Sequence, residues 1–372
     1  MISEADSAPA NFSRERLRLA RLRAGINLRE LADRVGVSHA AISQYESGRS
    51  RPGSAVMAQL AFACGVPRQF LTHSTRPVTL AGLDGTHFRS LRSTTKQSRG
   101  QAWTWSEIVL DVADALERFV QLPAPQVPAY TLDEHSSRDD VRAAAEHVRA
   151  EWSLPNGPVG HLVRHMEAHG VVVCRLPIAD DGIDAYSQNS GDRPVVILVT
   201  NKDDAARSRF DAAHELGHLV CHPEADASGG HERQAQSFAA ELLMPEAEMR
   251  KVLPRRFNLN TYARLKGEWG VSIAALLYRS RTLDIITEAA YRRAVVEMNA
   301  TYGRRREPFP LTRPDDPTLL ANAFAIAADH GVAIERLADL ANLSESDVET
   351  VISGGKAMPL VRPGVPIASI AP

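Results

Sequence analysis

The sequence predicts a mainly α-helical chain with a small α+β domain at its centre, on three observations. Apolar residues recur at helical spacing over most of the length, beginning with Leu17, Leu22, Leu28, Leu31 and Val35. Two β-branched runs, 171–176 and 195–199, interrupt that pattern and read as strands of a short sheet. Gly and Pro divide the rest into short helical segments, with Gly25 and Gly36 early and Pro123, Pro125 and Pro128 later.

Composition sets the outer bounds. A chain of 372 residues corresponds to two or three domains. With 44% apolar and 24% charged residues it is neither disordered nor fibrous. Lys plus Arg number 43 against 45 Asp plus Glu, a net charge of −2, so any nucleic-acid binding must come from a local patch. The three cysteines, Cys64, Cys174 and Cys221, form no C-x-x-C pair, which excludes a disulfide scaffold and fits a reducing compartment. No apolar run approaches a membrane span, and the first ten residues lack the regions of a secretory signal. The expected location is the cytoplasm, with no membrane partner.

The elements follow in order. Residues 13–72 read as a run of short helices, and 73–130 as a polar linker followed by a helix at about 101–120. Residues 131–298 form the central domain. Helices near 139–152 and 158–169 precede the two strands, and helices at about 205–222, 229–243, 259–268 and 272–298 follow them. The last region, 299–372, holds a basic, Pro-containing joint at 304–314, a helical segment at 317–353 and a Pro-rich tail. No internal repeat at a solenoid period is present.

Residues 28–48 carry the first motif. A helix with Leu28, Leu31 and Val35 inward stops at Gly36, which can take the left-handed conformation a sharp turn needs. Ser38 caps a second helix with Ile42 inward, and Gly48 ends it. Two helices joined this way form a helix-turn-helix, whose second helix presents its first residues to a major groove. The exposed positions are His39, Ala40, Ser43 and Gln44, and the Gln44 amide can pair bidentately with adenine. Residues 14–51 hold nine Arg and four acids, a local charge of +5. Arg14, Arg18 and Arg21, and then Arg49 and Arg51, are placed to meet phosphates of double-stranded DNA. The competing reading is a small helical bundle for protein contacts. The pattern Gly36-Val37-Ser38, Ile42-Ser43, Glu46-Ser47-Gly48-Arg49 and Pro52 resembles the Cro/C1-type (XRE) helix-turn-helix family. That family usually has glutamines where this chain has Leu28 and His39, so the resemblance implies DNA binding without fixing an operator.

The second motif lies where histidines concentrate: eight of the 13 fall between residues 147 and 231. His214-Glu215-Leu216-Gly217-His218 is H-E-x-x-H, which on a helix puts both imidazoles on one face. Glu215 is then placed to take a proton from a metal-activated water, the chemistry of peptide hydrolysis. A third ligand is needed, and the candidates are His222, Glu224, His231, Glu232 and Glu241. The residues 209–218, His222-Pro223 and then Glu232, Ala235, Phe238-Ala239-Ala240 and Leu242-Leu243-Met244-Pro245 resemble the ImmA/IrrE metallopeptidase family. The resemblance implies a zincin-like domain with His214, His218 and Glu232 as metal ligands and Glu215 as general base. The family often has a second acid where this chain has Gln234, which favours Glu232 as the ligand. Zinc is the expected metal, with Mn²⁺ or Fe²⁺ also compatible with a His₂Glu set. The run 195–199 matches the strand before the active-site helix, and its edge is expected to pair with an extended peptide.

Other features carry less. His161, His165 and His169 repeat at i, i+4, i+8 and read as a solvated helix face rather than a second metal site. Cys221 reads as a packed thiol. Residues 331–352 look like a further helix-turn-helix, but Glu345, Asp347 and Glu349 would repel phosphates. They read as an interaction or dimerisation module, so a homodimer is expected.

Together these readings describe a DNA-binding transcriptional regulator with a zinc metallo-endopeptidase domain. Its protein substrate would be a regulatory protein, itself or a partner repressor, cleaved in response to a signal. Two alternatives stand beside it: a transcription factor whose metal domain is a non-catalytic sensor, and a metalloprotease whose helix-turn-helix docks a repressor.

Overall fold

The computed structural model describes residues 11–72, 76, 78, 95–178, 182–190, 193–200, 204–223, 229–303, 307–311 and 315–354. The candidate ligand Glu224, the arginines at 304–306 and the Pro-rich tail lie outside the described residues. The chain is mainly helical with one small sheet, as its periodicity predicts, and divides into two compact units. The first contains Met1–Val78, Glu107–Gln121 and Leu320–Pro372; the second contains Thr79–Ser106 and Leu122–Leu319.

The first unit opens with α1 (Arg14–Arg23), α2 (Leu28–Val35), α3 (His39–Ser47) and α4 (Ser54–Cys64), closed by a 3-10 turn at Arg68–Leu71. Local chemistry sets each boundary. The Asn27 side chain accepts from the Arg29 and Glu30 amides while Glu30 bonds back to Asn27, a capping box. Gly36, at φ 72°, ends α2 in the left-handed region. The Ser38 side chain then accepts from the Ala41 amide and starts α3. Leu17, Leu31, Ile42, Leu60 and Phe70 are all buried. A long helix α5 (Lys96–Glu117) contributes Asp111, which pairs with the buried Arg16 of α1.

The second unit begins with α6 (Arg138–Glu151) and α7 (Leu162–Ala168). Three strands follow, β1 (Val172–Leu176), β2 (Ala185–Ser190) and β3 (Arg193–Val199), in the order β1-β3-β2. β1 runs parallel to β3, and β2 pairs antiparallel with β3. This corrects the expectation that 195–199 offers the edge. β3 is paired on both sides, so its continuous apolar run is that of a central strand, and the two edges belong to β1 and β2.

Helices α8 (Ala205–Cys221), α9 (Gly229–Leu243), α10 (Glu246–Val252), α11 (Leu259–Trp269), α12 (Ile273–Thr282) and α13 (Glu288–Tyr302) complete this unit. The single helix expected over 272–298 is two. Asp284 sits at φ 56° and Thr287 caps a new start, so the helical spacing continues across a break. The histidine series 161–169 is not a solvated stripe either. His161 is the N-cap of α7, and the His169 ring stacks on Trp152 at 4.6 Å between centroids.

The last helices among the described residues are α14 (Leu319–Asp329), α15 (Ile334–Ala341) and α16 (Glu345–Ser353). These repeat the first helices at a constant separation of 306 residues, Leu31 matching Leu337 and Ile42 matching Val348, all buried. α2 and α15 both have eight residues, and α3 and α16 both have nine. Gly36 corresponds to Asn342 at φ 57°, and Ser38 to the cap Ser344. Even the turn bonds match: Val37 N to Ala32 O (3.1 Å) and Leu343 N to Ala338 O (2.9 Å). Asp347 on α16 is buried and accepts from Arg23 of α1.

Candidate functional site

Helix α8 starts where the Asp204 side chain accepts from the Ala206 and Arg207 amides. Its apolar residues Ala212, Ala213 and Leu216 pack into the core beneath the sheet, which fixes the rotation of the helix. That rotation puts His214 and His218 on one side, with Glu215 buried on another.

Helix α9 packs closely on α8, and small residues permit it. A Cβ at Gly217 would meet Phe238 Cδ1 at 2.8 Å and the Ala235 Cα at 3.3 Å. This approach brings Glu232, one turn before Ala235, to the two histidines. Glu232 Oε2 lies 3.4 Å from His214 Nε2, and Oε1 lies 3.3 Å from His218 Nε2. The two Nε2 atoms are 3.2 Å apart. Four-coordinate bonds of 2.0–2.1 Å place neighbouring ligand atoms about 3.3 Å apart, which the two Nε2 atoms match, while the Glu232 carboxylate turns one oxygen to each histidine.

The electrostatics agree with the geometry. Burial alone would lower the His214 pKa, but the Glu232 hydrogen bond and the charges of Glu215, Glu232 and Asp211 outweigh it and raise the value. Burial would raise that of Glu232, but hydrogen bonds from His214 and His218, and their charge, hold it well below the usual carboxylate range. Two imidazole nitrogens turned onto one carboxylate form a donor set that a divalent cation satisfies. His214, His218 and Glu232 form the one such group found among the described residues.

The other candidates have different work. His222 is buried and donates from Nε2 to Gln234 Oε1 (2.8 Å), while Gln234 Nε2 donates to the Asp133 carbonyl (2.6 Å). His231 is buried against the His222 ring, 4.4 Å between centroids. Together they brace the start of α9, so Gln234 serves as an amide bridge. Glu241 is buried and pairs with Arg279 at 2.6 Å. Burial pushes the Cys221 thiol up to about 12, which makes it a packing residue.

Ser187 is the residue that sequence reasoning missed. Its Oγ donates to Glu215 Oε2 at 2.7 Å from edge strand β2. The segment Ala185–Ser190 carries no β-branched run, so no local signal marked it as a strand.

Beside His214 and Glu232 opens a cleft of about 1520 Å³, lined in part by Phe210, Met244, Tyr278, Tyr291, Val295 and Met298. Tyr291, Val295 and Met298 fall at i, i+4, i+7 on α13, which gives that wall an apolar stripe. The cleft exceeds the roughly 300–1,000 Å³ of small-ligand pockets.

In the first unit, His39, Ala40, Ser43 and Gln44 are all exposed on α3, and Arg49 and Arg51 are exposed just beyond it. Arg21 does not join them. Its guanidinium forms a two-point bond with Glu46 (2.6 and 2.8 Å) and ties α1 to α3, a pairing across 25 residues. Arg14 donates to the Ser47 carbonyl at 3.1 Å and keeps half of its side chain exposed.

The comparisons with known proteins agree with this layout. A helix-turn-helix domain family matches residues 14–72. The IrrE N-terminal-like domain family, in general a family of metallopeptidases, matches residues 166–281. No curated protein matches the chain. The second match takes in the sheet, α8 and α9, and so every atom of the candidate metal centre, while the first takes in the whole α1–α4 bundle. The chain thus joins a helix-turn-helix domain to an IrrE-like peptidase domain.

Proposed function

We propose that this protein is a DNA-binding transcriptional regulator whose central domain is a zinc-dependent endopeptidase acting on a regulatory protein, itself or a partner repressor. The observation that carries the reading is the convergence of His214 Nε2, His218 Nε2 and Glu232 at 3.2–3.4 Å with Glu215 next in sequence. His214, His218 and Glu232 would hold the metal, zinc or in its place Mn²⁺ or Fe²⁺. A metal bound there lowers the pKa of a water and polarises the scissile carbonyl.

The chain's own residues do the rest. Glu215 takes a proton from the attacking water and returns it to the departing amide nitrogen. In this reading an extended peptide would pair with the edge strand β2, and the cleft beside His214 has the breadth for a polypeptide. On the DNA side, His39, Ala40, Ser43 and Gln44 would enter the major groove while Arg49 and Arg51 meet phosphates. In this reading the protein works in the cytoplasm as a homodimer, its acidic C-terminal helices serving protein contacts rather than DNA.

The test uses the full chain loaded in turn with Zn²⁺, Mn²⁺ and Fe²⁺. Mass spectrometry follows cleavage of the chain itself and of a mixed-sequence peptide library. Glu215→Gln should keep the metal and lose cleavage. A wild-type protein that binds metal yet cuts nothing favours the non-catalytic sensor, and cleavage that survives Glu215→Gln sinks the mechanism.

A further inference from the structure

The sheet meets α8 through one face. Register places Val173 and Arg175 of β1, Val196 and Leu198 of β3, and Ala185 and Ser187 of β2 on that face. Four of the six are apolar and buried. The two polar ones each bond to α8: Arg175 Nη1 donates to Ser208 Oγ (3.0 Å), and Ser187 Oγ donates to Glu215 Oε2 (2.7 Å). Ser208 and Glu215 are seven residues apart, so the two bonds fasten one side of α8 to the sheet at two levels. Packing alone would be served by an alanine at 187, as it is at 185, two residues back on the same face.

We propose that Ser187 is the positioning residue of Glu215, an inference that rests on the peptidase reading above. Glu215 is only 2% exposed, and its carboxylate would otherwise turn freely about its last bond beside an apolar wall. The Ser187 hydroxyl occupies Oε2 and fixes the carboxylate plane, which leaves Oε1 to exchange the proton. Ser187 also lies on β2, the edge strand that the peptidase reading pairs with a substrate backbone. One strand therefore sets both the line of the peptide and the orientation of the base that acts on it.

Two measurements on the full chain test this. The first is a double-mutant cycle of Ser187→Ala and Glu215→Ala on the unfolding midpoint, which needs no substrate. Non-additive shifts are expected, and additive shifts overturn the proposal. The second is turnover of the best-cleaved member of the mixed peptide library. Ser187→Ala should lower kcat about tenfold, with KM and bound metal unchanged, and Ser187→Thr should restore most of it. An unchanged kcat, or a loss that threonine leaves in place, overturns the proposal. If the wild-type chain cleaves no peptide, the peptidase reading fails, while the cycle still decides whether Ser187 holds Glu215.

Discussion

Gly217 lies so close to Phe238 that a Cβ on the glycine would stand 2.8 Å from the ring. The backbone of Gly217 is ordinary helix, so the requirement is one of space between α8 and α9 rather than of conformation. Gly217→Ala should therefore push α9 away and carry Glu232 off His214 and His218. We expect a destabilisation of about 1–3 kcal/mol from overpacking. Metal affinity should fall by about tenfold or more, read by titration calorimetry. A variant that keeps wild-type affinity would show that the contact does not set the ligand geometry.

Glu232 and Glu241 share helix α9 but should respond differently to loss of charge. Glu232 converges with the histidines, so Glu232→Gln should reduce bound metal and make the thermal midpoint insensitive to a chelator. Glu241 instead neutralises Arg279, both buried. Glu241→Gln should keep the metal and cost about 3–5 kcal/mol, because it leaves a buried guanidinium uncompensated. Metal content by mass spectrometry and denaturant midpoints separate the two outcomes.

Which parts were legible in the sequence follows from the range of the interactions. His214, Glu215 and His218 follow from helical spacing within five residues, whereas Glu232 is singled out from five candidates by the resemblance of its segment to a known family. Ser187 was invisible because its role depends on the pairing of β2 with β3 and on the rotation of α8. Arg21 read as a phosphate contact because its partner, Glu46, is two helices away. His161 and His169 read as a stripe because a cap and a stacked ring leave no periodic trace. The run 195–199 reads as an edge for the same reason: a β-branched run shows that a strand is buried, not which neighbours cover it.

Arg49 and Arg21 provide the matching contrast on the DNA side. Arg49 is exposed beyond the end of α3, so Arg49→Ala should weaken DNA binding on any sequence and reduce the salt slope by about 1. Arg21 is bound to Glu46, so Arg21→Ala should lower stability and leave the salt slope unchanged at temperatures where the domain stays folded. Mobility shifts across a salt series distinguish them. Equal slopes for wild type and Arg49→Ala would remove Arg49 from the interface.

The repeat at 306 residues makes one last test possible. Gly36 ends α2 at φ 72°, and nothing lies within 4 Å of where its Cβ would be, so any cost of substitution there is conformational. The corresponding residue in the C-terminal helices is Asn342, which holds φ 57° between helices of the same lengths. Asparagine enters the left-handed region more readily than other side chains because its short amide bonds locally, whereas alanine meets the full steric penalty. Gly36→Ala should therefore cost about 1–2 kcal/mol and Gly36→Asn clearly less, measured by denaturant unfolding of the full chain. If the two variants were equally destabilised, the turn at Gly36 would need something that Asn342 does not supply, and the correspondence would stop at helix lengths.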